Sequence, residues 1–256
     1  MFKTTEITAY DIPSDNVIHQ RLFFAYEQSV RYMRGHMLEV GCGVGKGLEL
    51  FKDACTHYTA IDKNTALINH LSAKYPSYRF IDAFIPPFKG LEDNSFDSVV
   101  TQQVIEHIED DHLFLKEIKR VLKPGGCAVI TTPNLKLSLT RNPWHVREYT
   151  TEQFRDILGK YFSKVQLWGV TGSPAVMAYY EQNKASVQRI TRFDILNLQY
   201  RLPRTLLQIP YDFLNRRNRK KLQQQSTGLV STVTTADYWL TETPETAFDF
   251  FAVVEK

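Results

Sequence analysis

Eleven residues near the start of the chain, Met37 to Gly47 (MLEVGCGVGKG), restrict its fold more than any other stretch. Met37, Leu38 and Val40 form an apolar run that breaks into Gly41, Gly43, Gly45 and Gly47. The pattern predicts a short buried strand that ends in a tight turn and opens a helix over Lys46 to Ala54. Glycine suits a backbone that takes positive φ or approaches a ligand closely. The helix N-terminus beyond it presents unpaired N–H groups. Asp62 follows Gly41 by 21 residues, at the end of a second apolar run from Tyr58 to Ile61. A carboxylate there can accept hydrogen bonds from ribose hydroxyls.

Two nucleotide motifs fail on this stretch. The dinucleotide fingerprint Gly-x-Gly-x-x-Gly, read from Gly41, meets Lys46 at its sixth position, and read from Gly43 it meets Leu48. A phosphate-binding loop needs Gly-Lys followed by Ser or Thr, whereas Lys46 is followed by Gly47. What remains is Glu39-x-Gly41-x-Gly43-x-Gly45, with an acid on the strand. It resembles motif I of the class I S-adenosylmethionine (SAM)-dependent methyltransferases. That resemblance implies SAM as cofactor and S-adenosylhomocysteine as product, held by Glu39, the three glycines, Asp62 and Lys63. The alternative is a glycine-rich strand–helix turn that binds nothing.

Downstream, the alternation of strand and helix patterns continues. Val17 to Arg34 reads as an amphipathic helix with Leu22, Tyr26, Val30 and Met33 at helical spacing. Asp15 or Asn16 can cap it. The resemblance lays this helix across the cofactor pocket, where Arg21 or Arg31 could reach a carboxylate or remain solvated. Asn64 can cap a helix that runs to Lys74. Tyr78 to Ile81 reads as a third strand ending at Asp82, and the family's third motif implies that Asp82, Ala83 and Phe84 receive the adenine. Phe96 to Thr101 is a fourth strand; by the same resemblance Gln102 and Gln103 face the cofactor. A helix with Leu113, Leu115, Ile118 and Val121 stops at Lys123-Pro124-Gly125-Gly126. Cys127 to Thr132 is the fifth strand, Ser163 to Val170 the sixth and Phe248 to Val254 the seventh.

Strands alternating with helices predict an α/β fold with a mainly parallel sheet flanked by helices, in which ligands sit at the carboxyl ends of the strands. The resemblance makes this a Rossmann-like sheet of seven strands with the last antiparallel. It assigns residues 1–171 and 246–256 to the SAM-binding core. Residues 172–245, about 75 in number, then form a helical insertion and candidate substrate cap between strands six and seven.

Several chemistries are excluded by residues. After strand four the chain reads Thr101-Gln102-Gln103-Val104, not the Asp/Asn-Pro-Pro-aromatic signature of amino-methylating nucleic-acid enzymes. No cysteine lies in that loop to act as a nucleophile on cytosine. Glu106-His107 with His112 or His145 partly matches a metal-binding pattern, but Gln103 replaces its first acid, so no metal is expected. Cys42, Cys55 and Cys127 are odd in number, far apart and without zinc spacing, as in structural thiols of a reducing compartment. No apolar run reaches 18 residues, and the N-terminus lacks a basic start followed by an apolar core. A cytoplasmic protein is therefore expected.

Pro133-Asn134, followed by Asn142-Pro143-Trp144-His145-Val146-Arg147-Glu148-Tyr149, resembles ubiquinone-type O-methyltransferases and bacterial methyltransferases linked to glycan assembly. The resemblance covers roughly residues 17–170 and implies transfer to an oxygen of a small-molecule, lipid or glycan acceptor. Imidazole titrates near neutrality, so His145 is the first candidate general base and His107 the second. Arg147 and Tyr149 are candidates for orienting an acidic group on the acceptor. Thr150 or Thr151 can cap the helix after them. Within residues 189–221, nine lysines and arginines stand against two aspartates, although the whole chain is only +3. This stretch reads as a helical cap, as peripheral membrane contact with anionic lipid, or as a nucleic-acid patch. It has no base-reading motif, which argues against the last. A SAM-binding protein without catalysis and an RNA methyltransferase remain the alternative functions.

Overall fold

The computed structural model describes residues 12–256 except Ile195 and Ser226. Most of the N-terminal stretch read above for a signal lies outside those residues. Eight strands form one sheet: β1 (His36–Val40), β2 (His57–Asp62), β3 (Arg79–Asp82), β4 (Phe96–Gln102), β5 (Leu122–Pro133), β6 (Lys164–Gly172), β7 (Tyr238–Thr241) and β8 (Asp249–Glu255). Their order is β3-β2-β1-β4-β5-β8-β6-β7. β1 to β5 pair in parallel, and β8 enters antiparallel between β5 and β6.

The seven-strand expectation is short by one. Residues 238–241 pair antiparallel with the outer edge of β6, so the insertion is not all helix. The physical reason is the open row of backbone groups that β6 would otherwise expose. β5 also starts earlier than expected. Leu122 pairs with Phe96 and Cys127 with Ser98, so the Lys123–Gly126 turn loops out of a single strand.

The helices are α1 (Asn16–Ser29), α2 (Leu48–Phe51), α3 (Thr65–Lys74), α4 (Asp111–Val121) and α5 (Thr151–Gly159), followed in the insertion by α6 (Pro174–Thr191), α7 (Leu198–Arg201), α8 (Arg204–Gln225) and α9 (Thr227–Thr232). Thr150 caps α5 in a capping box with Gln153, and Asn64 caps α3 through the Leu67 N–H. The helix expected over Lys46–Ala54 shrinks to Leu48–Phe51 because Gly41, Gly43 and Gly45 all take positive φ and hold the chain in a turn. Neither Asp15 nor Asn16 caps α1. The Asn16 amide donates to the carbonyls of Val230 (2.8 Å) and Val233 (2.9 Å), which ties α1 to the insertion.

Alternation along the strands sends Leu38, Val40, Ile61 and Val99 to one face, under α4 and α5, and Met37, Tyr58, Val100 and Phe251 to the other, under α1. Leu222, Val230 and Val233 of the insertion share that second core with Val17 and Phe24 of α1. The insertion is thus packed into the core rather than appended to it. Among the described residues no helix is long and apolar enough to cross a membrane.

Candidate active site

The carboxyl ends of β1 and β2 carry the glycine turn. The Gly43 N–H donates to Asp62 Oδ2 at 2.8 Å, and Asp62 Oδ1 accepts from the Asn64 N–H at 2.9 Å. A Cβ added at Gly41 would sit 2.4 Å from Val104, and one at Gly45 would sit 2.7 Å from Leu71. At Gly43 it would meet nothing within 4 Å. Packing therefore crowds Gly41 and Gly45, whereas Gly43 faces open space: a cradle that a side chain would fill. Beyond β2 and β3, Lys63, Asp82 and Phe84 are exposed and Ala83 is half-buried, with its N–H bonded to the Asp62 carbonyl (3.1 Å). Phe84, 78% exposed, is an apolar ring presented at a strand end.

Glu39 and Gln102 are corrected by the structure: neither faces the cradle. Glu39 is 1% exposed and accepts hydrogen bonds from Tyr26 Oη (3.0 Å) and Tyr58 Oη (2.5 Å) beneath the turn. Gln102 is buried between Ser29 and Thr131, donating to one and accepting from the other. Gln103 takes positive φ and turns toward Thr131.

Burial pushes the Glu39 carboxyl up to about 7, against the lowering effect of the two tyrosine hydrogen bonds. A raised folded-state value means stabilisation that is complete below the unfolded value and lost as pH rises through 7. Glu39→Gln, which cannot ionise, should therefore gain stability relative to the parent chain by about 2 kcal/mol between pH 5 and pH 8. Denaturant melts of both proteins at the two pH values check this.

A second site lies beyond the carboxyl end of β5. A cavity of about 580 Å³ is walled by α1, the loop after β5, α6 and α8. Its polar end carries Arg21, Asn142, His145 and Glu148, and much of the rest is apolar or aromatic, including Val176, Tyr179, Tyr180, Tyr211 and Phe248. His145 Nδ1 lies 2.5 Å from Glu148 Oε1, and Ser138 Oγ donates to the other oxygen of Glu148. Asn142 Oδ1 accepts from the Trp144 N–H at 3.1 Å, so the Asn142 amide nitrogen is what faces His145 Nε2, at 2.7 Å. The carboxylate thus holds the proton on Nδ1 and leaves Nε2 as the lone-pair nitrogen. Arg21 Nε lies 2.9 Å from the buried Asp249 Oδ2, which fixes the guanidinium in the cavity wall.

The other expected acceptor residues are corrected. Tyr149 is fully buried and donates to Asp111 Oδ2 at 2.7 Å. Arg147 pairs with the same carboxylate at 2.9 Å and lies over the Tyr149 ring. Both therefore brace α4 and do not line the cavity. His107 donates from Nδ1 to the Trp144 carbonyl (3.0 Å), and its ring stands edge-on to His145 at 4.9 Å. Burial, then the neighbouring His145, lowers it to about 4 and keeps it neutral; it shapes the loop behind His145. Ligand atoms of Glu106, His107 and His145 lie within 4.8 Å of one another. Glu106 accepts from Thr132 at 3.0 Å, and the Nδ1 atoms of both histidines are already bonded. Sequence reading missed Glu148 and Asn142; their signal was spacing, three residues to either side of His145.

α1 borders both sites. Its Val17, Ile18 and Arg21 line the cavity, while His19 Nδ1 meets Lys46 Nζ of the glycine turn at 3.2 Å.

Residues 38–130 match the family described as a methyltransferase domain. A probable S-adenosylmethionine-dependent methyltransferase of Mycolicibacterium smegmatis is 33% identical over 161 residues, 60% of this chain and 62% of that protein. Over residues 38–130 the chain carries a methyltransferase domain, and its fold is that of SAM-dependent methyltransferases. The chain also shares 31% identity over 150 residues with a thiol S-methyltransferase of Rattus norvegicus, 51% of the chain and 61% of the relative. It therefore spans about three-fifths of the length of the curated relatives it matches. The crystal structure of a SAM-dependent methyltransferase from Archaeoglobus fulgidus shares the fold, with a TM-score of 0.57 at 16% identity, over 97% of this chain and 100% of that one. SAM is the cofactor that family and fold imply, with S-adenosylhomocysteine as product.

Proposed function

We propose that the chain methylates an oxygen of a small-molecule, lipid or glycan-precursor acceptor, and that His145 is the general base. The observation that carries this reading is the Glu148–His145–Asn142 arrangement in the wall of a mainly apolar cavity. SAM supplies an electrophilic methyl group on a sulfonium. Gly43, Asp62, Lys63, Asp82, Ala83 and Phe84 are the residues that would hold it, and the open space at Gly43 fits a bound nucleoside. The chain's own task is to align the acceptor and to take its proton. Alignment supplies most of the acceleration of an in-line displacement. With SAM bound and the Asn142 amide turned away from Nε2, His145 would take the acceptor's hydroxyl proton there, and Glu148 would stabilise the imidazolium that results. The cavity volume is that of a small-ligand site, and its walls suit an amphipathic acceptor whose hydroxyl points toward Arg21 and His145.

The test of the cofactor cradle is titration calorimetry with S-adenosylhomocysteine. Micromolar binding is expected for the parent chain. Gly43→Asp should lose at least 100-fold in affinity while its melting temperature changes little, since the new side chain enters open space and pays only for a positive φ. Retained affinity in that variant would overturn the assignment. A thiol acceptor is the second reading, favoured by the likeness to the thiol S-methyltransferase. A thiol ionises near pH 8.5 without help, so it asks much less of His145.

A further inference from the structure

α8 is apolar on two faces. Leu207, Tyr211, Leu214 and Asn218, at successive helical turns, point into the cavity. Leu206, Ile209 and Phe213 recur as i, i+3 and i+7 on the other side, where they are 64%, 83% and 65% exposed. The cavity explains the first face and nothing in the fold explains the second. The concentration is local: ten of the fourteen large exposed apolar side chains among the described residues fall within residues 190–214. Isolated exposed apolar residues need no explanation, but a contiguous cluster does. In and beside the same stretch Arg189, Arg192, Arg201, Arg217, Lys220 and Lys221 are exposed cations. The cluster also reaches the cavity: Ile190, Phe193, Leu198 and Leu214 line it and remain at least 39% exposed, so the rim belongs to the same apolar surface.

We propose that the outer face of α8, with the junction between α6 and α8, docks on an anionic lipid bilayer and turns the mouth of the acceptor cavity toward the lipid. Exposed apolar side chains interspersed with exposed cations match the two layers of such a surface, acyl chains beneath and phosphates at the level of the cations. A second copy of the chain fits less well, because a symmetric contact would set these cations against one another. A nucleic acid would place phosphates against the apolar centre. The docking goes beyond methyl transfer, and it gives an amphipathic acceptor a route from the bilayer into the cavity.

The test is flotation of the full chain with vesicles of mixed phosphatidylglycerol and phosphatidylcholine, beside vesicles of phosphatidylcholine alone. Neither SAM nor acceptor is added, so the result is independent of the proposed reaction. At least tenfold more protein should float with the anionic vesicles, and the difference should shrink as salt rises. The double variant Ile209→Glu, Phe213→Glu should lose at least tenfold of that binding while keeping the melting temperature and the S-adenosylhomocysteine affinity of the parent. Leu206→Glu, a separate exposed site on the same face, should act in the same direction. No flotation with anionic vesicles, equal flotation with both lipids, or binding unchanged in these variants would overturn the proposal. So would a concentration-dependent dimer in sedimentation that the double variant abolishes, which would give the face to a second copy.

Discussion

Replacing His145 with glutamine should lower kcat by about 100- to 10,000-fold on a hydroxyl acceptor, the range expected when a positioned general base is removed. Glutamine keeps the polarity of the site but cannot take a proton. Because His145 lies in the wall of the acceptor cavity and not in the glycine turn, S-adenosylhomocysteine affinity should stay within a few-fold of the parent. Glu148→Gln should also lower kcat, by about tenfold or more, since it removes the charge that holds the imidazole proton on Nδ1. Steady-state kinetics at saturating SAM, with calorimetry on the same preparations, separates these effects. A loss under about tenfold at a pH well below the ionisation of a hydroxyl acceptor would count against oxygen and move the reading to a thiol.

The second large effect is expected from Asp15. Its carboxylate is buried at the start of α1 and accepts from Arg219 of α8 at 2.9 Å, with Arg216 at 3.9 Å. Removing one partner of a buried pair leaves the other charge desolvated and uncompensated, which costs about 3–5 kcal/mol. Asp15→Asn should therefore loosen α8 first. Hydrogen exchange should speed up across residues 204–232 while β1, β4 and β5 stay protected, and turnover of any acceptor should fall with the cavity wall. Equal protection of α8 in both proteins would show that the apolar contacts of Leu222, Val230 and Val233 hold the insertion without the ion pair.

Both predictions concern contacts that sequence reading did not reach. His145 was legible as a histidine on a loop after strand five, yet its partners were not. Glu148 and Asn142 acquire meaning only when the loop closes and brings both ring nitrogens against them. Tyr149 and Arg147 look equally functional in the sequence. They fail because the backbone N–H groups of Val146 and Arg147 bond the Glu106 carbonyl, and the chain beyond turns toward Asp111 and away from the cavity. Glu39 follows the same logic. An acid on a strand before a glycine turn can face either the ligand or the layer beneath. Two tyrosines, one from α1 and one from β2, hold it in the layer beneath.

What the sequence determined by itself is what local stereochemistry encodes. Alternating and 3.6-residue apolar patterns placed the five parallel strands and the helices between them, because each pattern has one face to bury. The glycine turn was legible because positive φ at Gly41, Gly43 and Gly45 is a property of single residues. Only the tertiary structure decided which polar groups face a ligand and which are consumed inside. The Asp15–Arg219 pair spans 204 positions and the Tyr238–Val17 bond 221, distances at which no periodic signal survives. It also decided that the basic insertion shares the core, walls a cavity, adds an edge strand and still leaves an apolar face uncovered. Burial is a property of the assembled surface: a leucine at position 206 and one at position 207 look alike in the chain, and the packing of α8 sends one outward and the other into the cavity.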